Sequence, residues 1–166
     1  MTAPLRLGIA GLGTVGVGVV RLIQEEAALI AARAGRSIEI TAVSARDRKK
    51  NRDVDLSGYA WEDDPVKLAQ RPDVDVFVEL MGGDSGPAKA ATEAAIAAGK
   101  DVVTANKALL AHHGQALAEA AEAAGAVIRF EAAVAGGIPV IKALMEGLGA
   151  NRIKRVMGVM NGTCNY

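Results

Sequence analysis

The sequence predicts an α/β fold in which a parallel sheet is covered by helices on both faces. Strand-length apolar runs alternate with helix-length segments along most of the 166 residues, and those runs are too apolar for a sheet with one wet face. In addition, Gly11-Leu12-Gly13-Thr14-Val15-Gly16, a GxGxxG pattern, directly follows the first run and opens the first helix.

Leu5–Ala10 is a short apolar strand that runs into these glycines. From Thr14 to about residue 32, Val15, Val19, Leu22, Ile23 and Ile30 recur at helical spacing. Residues 37–44 alternate Ile38, Ile40 and Ala42 with polar neighbours, giving a second strand, and residues 45–64 turn polar and irregular. Residues 74–81 (VDVFVELM) read as a buried strand. Residues 87–98 read as an alanine-rich helix with Pro87 in its first turn and Gly99 as its stop. A strand at 101–104, a helix at 109–124 closed by Gly125 and a strand at 127–130 complete five strands. Beyond Gly136 the pattern changes to a helix over 139–148 and a strand over 153–160. The expected division is a nucleotide-binding domain at 1–135 and, at 136–166, the entry segment of a second domain. A sheet edge left uncovered at Tyr166 suggests a piece of a longer protein.

The chain suffices for one buried core and a short part of another. Its 19 basic and 19 acidic residues cancel, which speaks against nucleic-acid or anionic-membrane partners and requires any anion to be held locally. No apolar run reaches membrane-spanning length, and MTAPLRLGIAGLG has no signal-peptide architecture, so the cytoplasm is the expected compartment. Cys164 is the single cysteine, which rules out an internal disulfide, a CxxC redox pair and a cysteine zinc site.

In GxGxxG after a strand, Gly11 permits the tight turn, Gly13 lets main chain approach a pyrophosphate and Gly16 lets helix and strand pack closely, with the helix N-terminus aimed at the phosphates. A purely structural turn is the competing reading, and the βαβ units that follow favour a dinucleotide. The second strand ends Ser44-Ala45-Arg46, followed by Arg48, Lys49 and Lys50. Arg46 with ammonium groups behind it suits the extra phosphate of NADP(H). NAD(H) stays open if Asp47 or Glu39 reaches the ribose, or if the basic run is only a solvated loop. Ligands in such sheets lie beyond the carboxyl ends of the strands, so Gly82-Gly83, Ala105-Asn106-Lys107 and residues 131–137 are expected around the nicotinamide.

The segments GLGTVG, VELMGG, VVTANKALLA, FEAAVAGGIPVI and NGTCNY, in this order and spanning essentially the whole chain, resemble the motifs of the homoserine dehydrogenases. The resemblance implies a Rossmann-type doubly wound domain joined to a substrate and dimerisation domain. It implies an NAD(P)-dependent oxidoreductase that interconverts L-aspartate 4-semialdehyde and L-homoserine in threonine and methionine biosynthesis, working as a homo-oligomer. Gly11, Gly13, Thr14, Val15 and Gly16 match the family's phosphate turn, Gly82 and Gly83 its nicotinamide-side loop, and Asn106-Lys107 its Asn-Lys pair. Lys107 resembles the catalytic lysine that contacts cofactor and substrate, and an ammonium there suits a developing alkoxide. A solvent-facing lysine at a helix start is the bland reading. Glu131, Val134, Gly136 and Ile138 align with a segment that binds a monovalent cation (Na or K) through one carboxylate and main-chain carbonyls. A glycine-rich helix entry that merely packs is the alternative. The acidic substrate-binding region and second catalytic lysine of the family have no counterpart here, so this stretch is expected to bind cofactor and not to turn over substrate alone.

Two rival classes differ in one residue each. A phosphorylating semialdehyde dehydrogenase needs a nucleophilic Cys with a base. Cys164 has none in view, because His112 and His113 are adjacent in one helix and are expected at the surface. A dinucleotide-sensing module needs no amine at the hydride site, which Lys107 supplies. Tyr59 and Trp61 are expected to close over a sheet edge, and Glu119 and Glu122 to face outward.

Overall fold

The computed structural model describes residues 2–158. Its strands are β1 (Leu5–Ala10), β2 (Ile38–Ser44), β3 (Ala60–Trp61), β4 (Val76–Glu79), β5 (Asp101–Thr104) and β6 (Ile128–Arg129). They form one sheet in the order β3-β2-β1-β4-β5-β6, with every pairing parallel. The helices are α1 (Thr14–Glu25), α2 (Ala27–Ala34), α3 (Pro65–Gln70), α4 (Pro87–Ala97), α5 (Lys107–Ala124) and the short α6 (Val140–Lys142). From β1 the chain winds outward to β2 and β3 on one side, then returns to β4 on the other. That reversal opens a crevice at the carboxyl ends of β1 and β4, where doubly wound sheets take their ligands.

Successive strand residues point to opposite faces, and both faces are buried over β1, β2 and β4, whereas on β5 the Asp101 and Val103 side stays exposed. Ile9, Val43 and Val78 pack beneath Val20 of α1, while Ala10, Ala42 and Phe77 pack with Leu68, Ile96 and Leu109 of α3, α4 and α5. Alanine dominates the sheet-facing side of α4, where Ala88, Ala91 and Ala95 are buried, and small side chains let that helix lie close to the strands.

The expected α/β architecture is present, with differences in detail. The expected helix from 14 to about 32 is two helices, because the chain turns at Glu26 (φ −110°, ψ 20°), and α2 buries none of its side chains. The irregular stretch 45–64 contains the sixth strand, β3, which is too short for alternation to register. α3 follows, its first turn capped by Asp64, whose carboxylate accepts from the Val66 N–H at 2.9 Å. α5 starts two residues earlier than expected, capped by Asn106. The helix expected over 139–148 is α6 followed by one π-turn, Ala143–Gly147. Residues 153–158 carry no strand, since a lone extended segment has no ladder to satisfy its main-chain groups. Residues 159–160 of that expected strand, and the NGTCNY segment with Cys164, lie outside the described residues. No helix among the described residues is long and apolar enough to cross a membrane.

At the amino ends of the strands, Arg6 grips Asp75 with its Nε at 3.0 Å and its Nη2 at 2.6 Å. The Arg6 main-chain N–H adds a third bond to the same carboxylate at 2.9 Å. The guanidinium hydrogen bond outweighs partial burial and holds the Asp75 carboxyl at about 2, below the ordinary carboxylate range. Lys100 donates to the Arg71 carbonyl, and burial pushes its ammonium below the usual lysine range.

Candidate cofactor site

β1 delivers the chain into the glycine turn. Gly11 sits at φ +102°, and a Cβ on it would lie 2.4 Å from the Leu80 carbonyl oxygen. A Cβ on Gly16 would lie 1.9 Å from the Gly11 carbonyl oxygen, so α1 rests directly on the turn. Gly13, by contrast, faces space with no atom within 4 Å of a Cβ position. It is the N-cap of α1, which has no side-chain cap and no acidic residue in its first turn. Thr14 and Val15 are exposed beside it. The helix therefore offers uncapped N–H groups and its positive end to open space, a cradle fitted to a pyrophosphate.

On the adenosine side, residues 46–50 are exposed. The Asp47 carboxylate is turned into its own loop, where Oδ1 accepts from the N–H groups of Lys49 and Lys50 at 2.9 and 3.2 Å. Glu39 pairs with Arg6 near the start of β1, at the opposite end of the strands from the glycine turn. One oxygen of Asp47 is thus engaged within its own loop, Glu39 lies remote from the glycine turn, and Arg46 stands exposed just past the end of β2. Beneath the loop lies Arg52, 9% exposed, whose guanidinium donates to three main-chain carbonyls: Leu12 (3.1 Å), Lys50 (2.8 Å) and Asp47 (2.5 Å). Trp61 carries the Arg48 and Arg52 guanidiniums over its ring at 5.6 and 5.7 Å. Tyr59 accepts a hydrogen bond from Gln24 at 2.8 Å.

The nicotinamide side is organised by a residue that the sequence reading passed over. Glu79 ends β4 with no solvent exposure. Its Oε1 accepts from the N–H groups of Met81 and Gly82 at 2.8 and 3.1 Å, and its Oε2 from the Thr104 hydroxyl at 2.7 Å. Thr104 Oγ1 in turn accepts from the Asn106 N–H at 3.0 Å. Asn106, 5% exposed, donates from Nδ2 to the Gly83 carbonyl at 2.6 Å and accepts from the Leu109 N–H at 3.1 Å. The structure thus brings together Gly82, Gly83, Asn106 and Lys107, the last being the exposed first residue of α5. His112 is exposed and 3.8 Å from Asp84. Glu119 and Glu122 face outward, as expected.

The remaining candidates gather just beyond β6. Glu131 opens a 3-10 turn, Glu131–Ala133, and its Oε1 accepts from the Gly137 N–H at 3.1 Å. The bond ties the Glu131 carboxylate to the loop that contains Val134, Gly136 and Ile138, in which Ala135 is held at φ +54°, a conformation costly for a residue with a Cβ. No group of three His, Cys, Asp or Glu side chains suited to a metal occurs among the described residues. An ion here would rely on one carboxylate and main-chain oxygens.

Glu79 had a signal, since an acid inside the apolar run VDVFVELM breaks the rule that strand interiors exclude charge. Arg52 had none, because by sequence it is one more cation in a polar loop.

Sheet order, crevice and uncapped glycine turn together define a dinucleotide-binding domain of the Rossmann class. Residues 11–131 match the family model described as homoserine dehydrogenase, NAD binding domain, and residues 139–166 the model described as homoserine dehydrogenase. The chain belongs to the homoserine dehydrogenase family, as its NAD-binding portion. It is 49% identical to the homoserine dehydrogenase of Neisseria gonorrhoeae and 47% to that of Pseudomonas aeruginosa, covering 98% of this chain and 37% of each relative. The crystal structure of a homoserine dehydrogenase from Thiobacillus denitrificans superimposes with a TM-score of 0.82 at 45% identity, over 90% of this chain and 34% of that one. A Staphylococcus aureus homoserine dehydrogenase structure gives 0.73 at 36% identity over 80% and 34%. The chain thus spans little more than a third of the curated relatives that it matches.

Proposed function

We propose that the protein to which this chain belongs catalyses the reversible, NADPH-dependent reduction of L-aspartate 4-semialdehyde to L-homoserine, a step toward threonine and methionine, in the cytoplasm. The observation that carries the reading is the placement of Lys107. It leaves the first turn of α5 at the carboxyl end of β5, next to an Asn106 tied to Gly83, on the ligand side of the sheet. A nicotinamide bound there would supply the hydride, and the proton that completes the hydroxyl would come from solvent. Lys107 holds its ammonium against the carbonyl oxygen and stabilises the charge that grows there as the carbon is reduced. Gly82 and Gly83 let main chain lie against the ring, and Asn106 holds that loop from below. Gly11, Gly13, Thr14, Val15 and Gly16 seat the pyrophosphate.

NADPH is chosen over NADH by Arg46, with Lys49 and Lys50 behind it. Support comes from the strand end, where both competing carboxylates are engaged or remote. Glu131, with the carbonyls of Val134, Gly136 and Ile138, holds a monovalent cation that fixes the exit from the sheet. Residues 1–135 form the cofactor domain and 136–166 lead into the substrate domain, consistent with two family models that adjoin between 131 and 139. This portion binds cofactor, and turnover needs the remainder of the protein, which works as a homo-oligomer on a small molecule without nucleic-acid or membrane partners.

The test is NADPH absorbance in the full reading frame with aspartate semialdehyde, alongside Lys107→Ala and Arg46→Ala. Substrate-dependent oxidation that Lys107→Ala abolishes, and that Arg46→Ala weakens chiefly for NADPH, is the expected result. Tight NADPH binding without any oxidation by the intact protein overturns the reading in favour of a dinucleotide sensor.

A further inference from the structure

We infer that Arg52 sets cofactor selectivity on the adenosine side as a positioning residue, by tying the cationic loop 46–50 to the glycine turn. This deepens the NADPH reading above and rests on it. A buried guanidinium is costly unless its donors are used, and no carboxylate among the described residues pairs with Arg52. Its hydrogen bonds go to main-chain carbonyls. One of these, Leu12, lies inside the glycine turn, and the other two, Asp47 and Lys50, bracket the basic loop. One rigid fork therefore spans the two segments that must hold the two anionic ends of an adenosine 2′-phosphate dinucleotide.

The loop is closed from within as well. Asp47 accepts from the N–H groups of Lys49 and Lys50, and Arg48 is laid over Trp61, the ring that Arg52 also approaches. The ribose fixes the separation of the pyrophosphate from the 2′-phosphate, so cations set in one register with the turn meet both groups at once. NADH lacks the 2′-phosphate and, of these two segments, draws on the turn alone. Loosening Arg52 therefore weakens NADPH more than NADH. A lysine cannot replace it, because a single ammonium lacks the planar fork that reaches three carbonyls in different directions.

The experiment is fluorescence titration of the full-length protein with NADPH and NADH, comparing wild type, Arg52→Lys, Arg52→Gln and Arg46→Ala. We expect the Arg52 variants to raise the Kd for NADPH about tenfold and that for NADH less than about threefold, since the loop serves only the phosphorylated cofactor. Equal weakening of both cofactors, or an unchanged ratio in a variant that melts cooperatively, overturns the inference. A wild type without NADPH preference defeats the NADPH reading itself. If Arg46→Ala erases the preference while the Arg52 variants keep it, the inference alone fails. Hydrogen exchange on unliganded wild type decides the matter even if no variant folds. The Lys49 and Lys50 amides exchange slowly when the loop is set in advance, and exchange at open-loop rates overturns it.

Discussion

The Glu79 carboxylate accepts the Thr104 hydroxyl at 2.7 Å, joining the carboxyl ends of β4 and β5 inside a core closed to solvent. The loop after β4 and the start of α5 are both tied to this pair. The other oxygen of Glu79 holds the turn into Gly82, and Thr104 passes the constraint to Asn106, the cap of the helix that begins with Lys107. Each of these bonds is donated to Glu79, so an oxygen acceptor suits both ends of its side chain and an amide group suits the site less.

Glu79→Ala leaves the Met81 and Gly82 amides and the Thr104 hydroxyl without their acceptor and should cost about 3 kcal/mol of stability. Glu79→Gln keeps an oxygen for the amides but sets an NH₂ donor against Thr104, so a loss of about 1 kcal/mol is expected. Because the loop and Lys107 shift while the glycine turn does not, Glu79→Gln should lower kcat more than it weakens NADPH binding. Urea melts and steady-state kinetics check both, and an unchanged kcat in a folded Glu79→Gln protein would exclude a positioning role.

Gly13 and Gly16 separate binding from folding. Gly16→Ala drives a Cβ against the Gly11 carbonyl, so α1 must move, and both stability and dinucleotide affinity should fall. Gly13→Ala meets no protein atom and should melt close to wild type while losing about tenfold or more in affinity, because the space it enters is the ligand's. A Gly13→Ala protein that binds normally would show that the pyrophosphate lies elsewhere.

The sequence announced these glycines because a tight turn, an open face and a close helix each demand the same residue at a known spacing. The long, apolar strands were equally readable, since buried runs have few alternative fates. What could not be read are features decided by distant partners. β3 has two residues and exists because β2 offers an edge, and Arg52 is set apart from Arg46 and Arg48 only by the main-chain carbonyls that fold around it. The split between α1 and α2 was hidden for a similar reason. The apolar period continues past Glu26, yet α2 only half-buries Ile30 and Ala31 and fully buries none of its residues.

Glu131 gives a prediction about ions. If its carboxylate and the surrounding carbonyls hold a monovalent cation, the full-length protein should melt higher in sodium or potassium chloride than in tetramethylammonium chloride of equal ionic strength. Glu131→Gln should erase that difference, because the anchoring charge is gone. Equal melting temperatures for the wild type in all three salts would leave Glu131 as a main-chain clamp on Gly137 only.

The Arg6–Asp75 pair sets an acid limit on the fold. Asp75 is held at about 2 in the folded chain by the Arg6 guanidinium, whereas an aspartate in an unfolded chain titrates at about 4. A carboxyl with a depressed folded value binds fewer protons when folded, so protons favour the unfolded state as pH falls. Its contribution is therefore complete above about pH 5, shrinks as pH falls through 4 toward 2 and is absent below. Both side chains are about a third exposed, so solvent screening keeps the effect modest. Asp75→Asn should lower the urea midpoint at pH 7, and the gap from wild type should close steadily between about pH 5 and pH 2. Asp73, lowered by its hydrogen bond to Arg71, titrates in the same direction but is common to both proteins and cancels in the comparison. A gap that stays constant down to pH 3 would place the effect of the substitution in packing rather than in the charge of Asp75.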